Sequence, residues 1–200
     1  MAHYRAIAAA LAAIEGVLAE RYPRDEEGFS GSLEIFRIQS KDIENLTVNG
    51  PAGIAILLWR VAINQQRRML PPRTDLDGRR FKASIPVDLS ILLIPFAPNA
   101  ETQHRILGWA MRAIADAGPL KATQLNEYLK EDDVFAETEE VDLVCDPLSL
   151  ADYLTLWDRL KKNPLSMNYL MRMVLIDSGD ELFEAPAVVE REFLIGSPAA

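Results

Sequence analysis

Histidine and cysteine are scarce: His3, His104 and Cys145 are all that 200 residues contain. A single cysteine excludes an internal disulfide, so a reducing cytosol is the expected folding environment. Cys145 closes the apolar run VDLVC and reads as a small buried hydrophobe rather than a nucleophile. His104 has no Cys or His at ligand spacing, which favours a structural histidine over a zinc ligand. The H-E-x-x-H, paired-Cys and P-loop spacings are missing, as is the Gly-x-Ser-x-Gly elbow of serine hydrolases. The expectation is a chain with no catalytic residue, no metal and no cofactor.

Positive charge is also in short supply. Lys and Arg number 21 against 30 Asp and Glu, a formal charge of -9 at pH 7. Free nucleic acid is therefore not an expected partner, because phosphate binding needs clustered cations. No apolar run reaches the length of a membrane span. The run 6–14 faintly imitates a signal peptide, but Glu15 and Glu20 interrupt it. Tyr4, Ile7, Leu11, Ile14, Leu18 and Tyr22 recur there at helical spacing, which predicts an amphipathic helix docked on a core. No signal peptide and no direct membrane insertion are expected.

What is present is an ordinary globular balance, 49% hydrophobic and 26% charged. It fits one domain over 1–180 with an extended C-terminal tail over 181–200. After the first helix, 32–38 predicts a strand and 54–63 a central strand buried on most of both faces. The stretch 71–82 carries a Pro pair and an Asp-Gly step and reads as a long irregular connection. A further strand at 85–94 has Pro86 at its start, which suits a strand start or an edge, and Pro95 and Pro98 end it. Asn99 caps a helix that Gly118 and Pro119 close, with Ile106, Leu107, Ala110, Met111 and Ile114 inward. A short helix follows at 122–129, and the alternation of Val141, Leu143 and Cys145 predicts a half-buried strand. The last unit, 148–176, is the one around which the chain is organised. Ser149 caps a helix whose stripe is Leu150, Tyr153, Leu154, Trp157 and Leu160, Pro164 closes it, and an apolar strand runs over 167–176. Strict βαβ alternation is absent. The fold expected is α+β: a mixed, largely antiparallel sheet with helices packed mainly on one face.

Two charged segments and the tail stand out as candidates for contact. Arg67, Arg68, Arg73, Arg79, Arg80 and Lys82 gather in and before the 71–82 connection. They form either a solvated loop or a basic finger that reaches a partner. Glu131, Asp132, Asp133, Glu139, Glu140 and Asp142 form an acidic face without EF-hand spacing. Arg191, Glu192, Phe193, Leu194 and Ile195 form a β-prone tail segment able to pair in trans.

Three stretches together resemble one family: the small tail terminator or cap proteins of phage-tail-like extracellular contractile injection systems. The first is IAILLWRVAINQQRRMLPPR, an apolar strand followed by Asn, Arg and a Pro-rich connection. The second is the Pro-x-Asp-Leu strand with a helix carrying His104, Arg105, Leu107, Gly108, Trp109, Ala110, Met111 and Arg112. The third is 148–176, with Leu148, Ser149, Leu150, Leu154, Trp157, Leu160, Pro164, Ser166, Tyr169, Arg172 and Val174. The chain departs from the family at Pro164 and Leu165, where relatives have an aromatic-Arg pair. The resemblance implies a structural, non-enzymatic subunit of a hexameric ring. That ring sits at the end of the inner tube and sheath and ends their polymerisation. Its partners would be copies of itself, the tube protein and the sheath protein, and it would be cytoplasmic during assembly and then part of the particle. An assembly adaptor or tail-joint protein elsewhere in the same particle is the alternative.

Overall fold

The computed structural model describes residues 3–23, 33–46, 52–75, 77–129, 134–160 and 164–182. Its centre is a six-stranded sheet of order β1-β2-β5-β8-β7-β6. The strands are β1 (Glu34–Ile38), β2 (Gly53–Ile63), β5 (Ile85–Phe96), β6 (Leu120–Lys121), β7 (Glu140–Cys145) and β8 (Met167–Ile176). Only β1 and β2 run parallel; the other described pairs are antiparallel. A separate pair, β3 (Arg73–Thr74) and β4 (Arg80–Phe81), lies in the connection between β2 and β5.

The two sheet faces are covered differently. On one face Ile54, Ile56, Leu89, Ile91, Leu93, Met171 and Val174 meet α1 (Ala6–Glu20), α2 (Ala100–Ala117) and α3 (Ala122–Glu127). These side chains are almost fully buried, and each contributes about 1.5–3 kcal/mol of transfer free energy. The alanines of α1 let it approach closely: Ala6, Ala9, Ala10 and Ala13 are wholly buried. On the opposite face a smaller cluster joins Ala55, Leu57, Leu92, Ile94 and Phe96 to Ile43 of a 3-10 turn (Ser40–Asn45) and Trp157 of α4 (Leu150–Leu160). The architecture is thus α+β, mixed and mostly antiparallel, with three of the four described α-helices on one face.

Local chemistry explains the helix ends. Asn99 accepts from the Thr102 backbone N–H at 2.8 Å, and Gly118 takes φ 66° just past α2, where a side chain is costly. Ser149 Oγ accepts from the Asp152 N–H at 3.1 Å and donates to Asp152 Oδ2 at 2.6 Å, a side-chain N-cap in which the Asp152 carboxylate takes the Ser149 hydroxyl.

Several expectations need correction. Pro86 stands at the start of β5, as expected, while the strand runs on through Pro95 to Phe96 and ends before Pro98, with neighbours on both sides. The Pro95 carbonyl accepts from Gln103 Nε2, so its missing N–H faces the flank where β8 has already ended. The Pro86 carbonyl accepts from the Asn64 N–H, so its missing N–H faces the flank where β2 has ended. Neither proline deprives a ladder of a donor. The 71–82 connection is not irregular throughout, since β3 and β4 pair within it. Only the first half of β2 is buried on both faces; Val61 and Ile63 are exposed. In α2 Ala113 is buried, while Leu107 and Met111 are only half-buried. Cys145 is exposed, because β6 pairs only with the first two residues of β7. Leu150 and Leu154 are 74% and 58% exposed: α4 meets the small cluster through Tyr153, Leu156 and Trp157, which leaves its flank uncovered.

Candidate functional site

The elements at one end of the sheet combine into a projecting arm. Asn64 ends β2, Lys82 to Ser84 lead into β5, and β8 ends at Ile176 opposite Ile85. Beyond this point β3 pairs with β4, and Phe81 of β4 pairs antiparallel with Glu181. The Lys82 N–H donates to Asp180 O at 3.0 Å and the Leu182 N–H to Arg80 O at 2.7 Å. The small ladder β3, β4 and 180–182 therefore continues the order β2, β5 and β8 outward. The arginine-rich connection and the exit of the chain toward its tail, which sequence reasoning treated as separate features, share this arm.

The arm's root is held by buried polar contacts. Asp177 accepts from Ser84 Oγ at 2.6 Å and faces Arg73 Nε at 3.6 Å, with only 6% of its side chain exposed. The Arg73 and Arg79 guanidiniums lie over the Phe81 ring, 4.8 and 5.8 Å from its centroid, so the aromatic ring is flanked by two cations. At the tip, Asp75 accepts from the Arg79 N–H, the Asp77 N–H and Arg79 Nε, a side-chain-closed turn. Burial opposes the Asp75 charge, but these Arg79 and Asp77 donors hold its carboxyl below the usual range. Lys82 Nζ, 2.7 Å from Asp180, lowers that carboxyl as well. A lowered folded value means that these contacts add stability above the ordinary carboxylate range and lose it as pH falls through the lowered values.

The predicted basic residues thus divide. Arg73 is packed inward; Arg79 and Lys82 are exposed but paired within the arm. Arg80 is exposed on β4. Arg67 and Arg68 are exposed and form no ion pair among the described residues. Of the acidic face, Glu140 and Asp142 are exposed on β7, paired with Lys121 and Arg172 across the ladder. Glu139 is half-buried; burial pushes its carboxyl up, aided by Asp177 and opposed by the Ala136 N–H and Arg73. The structure therefore brings one acidic residue into electrostatic range of one predicted cation inside a single subunit. Glu131, Asp132, Asp133 and the tail residues Arg191, Glu192, Phe193, Leu194 and Ile195 lie outside the described residues.

Sequence reasoning missed the group that sets the arm's direction. Asn64 is 3% exposed. Its Nδ2 donates to both Asp88 oxygens at 3.0 Å, and its Oδ1 accepts from the Gln66 and Arg67 N–H groups at 3.0 Å. Asp88 Oδ1 also accepts from the Met173 N–H at 3.0 Å, and Met173 is the one described non-glycine residue with positive φ, at 60°. It stands where β8 carries an extra residue opposite β5. One Asn–Asp pair thus fixes the chain leaving β2 and the bulge in β8. The available signal was a polar residue closing an apolar strand and an Asp inside another, both within the motifs quoted above.

Among the described residues no group of three or more His, Cys, Asp or Glu could hold a metal ion, and no helix is long and apolar enough to cross a membrane. No curated protein matches the chain. Among solved structures, it is similar to the sheath/tube terminator of the PVC extracellular contractile injection system in its extended state. That likeness has a TM-score of 0.60 at 15% identity and covers 97% of this chain and 64% of that one. The cap of the anti-feeding prophage, a tube terminating cap, is similar with a TM-score of 0.48 at 16% identity over 74% of this chain and 51% of that one. The chain thus spans about two thirds or less of the length of these proteins. The model of the Pvc16 N-terminal domain family matches residues 9–190, and the chain belongs to that family.

Proposed function

We propose that this chain is a structural terminator subunit of a contractile injection system. In this reading it assembles into a ring, hexameric as in the resemblance drawn from its motifs, at the end of the inner tube and sheath, and ends their polymerisation. Membership of the Pvc16 N-terminal domain family across 9–190 carries the proposal, and the fold shared with a sheath/tube terminator supports it. The role is one of contact and geometry rather than catalysis.

The arm is the part of the fold suited to that contact. It is held at its root by Asp177 and presents arginines at its surface, in a chain of net charge -9. A closed ring needs two different complementary patches on each subunit. In the proposed ring the arm of one subunit meets acidic surface on its neighbour or on the tube. Replacing Arg79 and Arg80 by Glu is expected to abolish binding to the tube end or ring closure; because Arg79 also holds Asp75 and Asp77 at the tip, the single variant Arg80→Glu, exposed on β4, separates a lost contact from a loosened arm. Ring size by sedimentation and tube capping by electron microscopy read the result. Unchanged assembly of the double variant would refute the role of the arm.

A further inference from the structure

The central sheet is stepped at both of its edges. β1 covers β2 only from Gly53 to Leu57, because past Ile38 the chain turns into the 3-10 turn Ser40–Asn45. Among the described residues no strand pairs with 58–63 of β2 on that edge. At the far edge β6 covers β7 only at Glu140 and Val141, and no described strand pairs with 142–145 on the outer side. The space past the end of β1 is open: a cavity of about 420 Å³ lies there, lined by Ser40, Trp59, Arg60, Asp152 and Leu156 among others.

The two uncovered stretches match in height, phase and face. Val61 pairs with Leu89, Leu89 with Met171 and Met171 with Leu143, so Val61 and Leu143 end one cross-strand row. The Asn64 N–H donates to Pro86 O. Antiparallel alternation then turns the N–H and C=O of Arg60 and Ala62 toward β5, and those of Val61 and Ile63 outward. The Asp146 N–H donates to Asn168 O, which by the same alternation turns the backbone groups of Leu143 and Cys145 outward. Val61 and Ile63, 47% and 57% exposed, lie on the sheet face of α1, with Leu143 and Cys145 on that face at the other edge. Arg60 is the one charge of 58–63, and Asp142 and Asp146 are the charges of 142–146. All three stand on the opposite face.

An unpaired edge with exposed apolar side chains accepts another strand. β2 and β7 run in opposite directions, since three antiparallel pairings separate them. Copies set side by side and pointing one way round a ring therefore bring β7 of one antiparallel to β2 of the next. We propose that neighbouring copies join by pairing the 142–145 edge of one with the 60–63 edge of the other, which makes the sheet continuous between subunits. A stagger of two residues, such as tilted strands in a closed ring require, sets Cys145 opposite Val61 and Leu143 opposite Ile63. The outward backbone groups of both edges then bond in pairs. In this register Val144 faces Ala62, Asp146 faces Arg60, and β6 passes beyond the point where β2 ends. The inference rests on the reading of a self-assembling ring and names one of its contacts.

Cysteine cross-linking of the full-length chain tests it, with sedimentation velocity to follow association and far-UV circular dichroism to check folding. The variant carries Ala62→Cys and Val144→Cys, with Cys145→Ser to remove the native thiol. Across the proposed boundary these positions form a non-hydrogen-bonded pair with Cα atoms about 4.5 Å apart, within the roughly 4.4–6.8 Å that a disulfide spans. Within one copy three strand spacings, about 14 Å, separate them. Oxidation is expected to give a ladder of covalent multimers that a reductant collapses to the monomer band, while each single cysteine variant stays monomeric on the gel. Association of the double variant without any cross-link would overturn the edge pairing and leave the ring reading standing. Cross-linked dimers from either single variant would show like edges meeting about a two-fold axis, which also overturns it. Neither association nor cross-link would overturn the pairing together with the ring.

Discussion

Replacing Asp88 by alanine is expected to destabilise the protein by about 2–4 kcal/mol, the cost of stranding buried polar groups in a shared network. The carboxylate accepts from Asn64 Nδ2 and from the Met173 N–H. Its loss leaves Asn64, almost fully buried, without an acceptor, and Met173 loses the bond that holds its positive φ. The isosteric Asp88→Asn change rescues in part, since its Oδ1 can still accept from Asn64 Nδ2 and the Met173 N–H. Its new amide would point a donor at the Asn64 donor, and turning the Asn64 amide over would take Oδ1 away from the Gln66 and Arg67 N–H groups. Denaturant unfolding of wild type, Asp88→Ala and Asp88→Asn decides the matter. Asp88→Ala should fall by more than about 1.5 kcal/mol and Asp88→Asn by less; a loss below about 0.5 kcal/mol in Asp88→Ala would mean that Asp88 is an ordinary surface charge.

The second large effect belongs to Gly53. It opens β2, facing Glu34 of β1 on one side and Phe96 of β5 on the other. A Cβ there would lie 2.2 Å from the Glu34 carbonyl oxygen and 2.3 Å from Phe96 Cζ. The oxygen is backbone in the sheet's one parallel pairing, and the ring is packed in the smaller cluster against Phe36, so neither can yield cheaply. Gly53→Ala should cost about 2–3 kcal/mol, at the upper end for overpacking, and Gly53→Val more. Gly108 on α2 is the contrast: nothing lies within 4 Å of its Cβ position, and alanine there should stabilise by about 0.5–1 kcal/mol. Equal and small effects at the two sites would show that β1 does not approach β2 as described.

These residues also show how far the sequence could be read. Helix positions and caps were legible because their signals are local: Asn99, Gly118 and Ser149 act within a turn of where they stand. Strands were legible from apolar runs, but their ends were not. Pro95 looks like a stop, and only the loss of β8 as a neighbour on one flank makes it harmless. Long-range pairing hid the rest. That 71–82 and the exit after Ile176 form one ladder depends on Phe81 meeting Glu181, a hundred residues apart in the chain. Composition identified Arg67, Arg68 and Arg80 as surface cations, but could not separate them from Arg73, which packs against Asp177. The stripe on α4 misled because its period marks a helix face without saying how much of that face is covered: Leu150 and Leu154 fit the period and are exposed. Asn64 and Asp88 carry no periodic signal at all, and their meaning lies in a hydrogen bond between two strands.

In the proposed function this chain ends a tube. Tube protein polymerised in the presence of the full-length chain, imaged by electron cryomicroscopy, tests it most directly. Tubes of limited length carrying a ring of this chain at one end are expected, with the arm of 64–84 and 177–182 at a subunit boundary. Tubes of undiminished length with the chain absent from their ends, or bound along their sides, would contradict it.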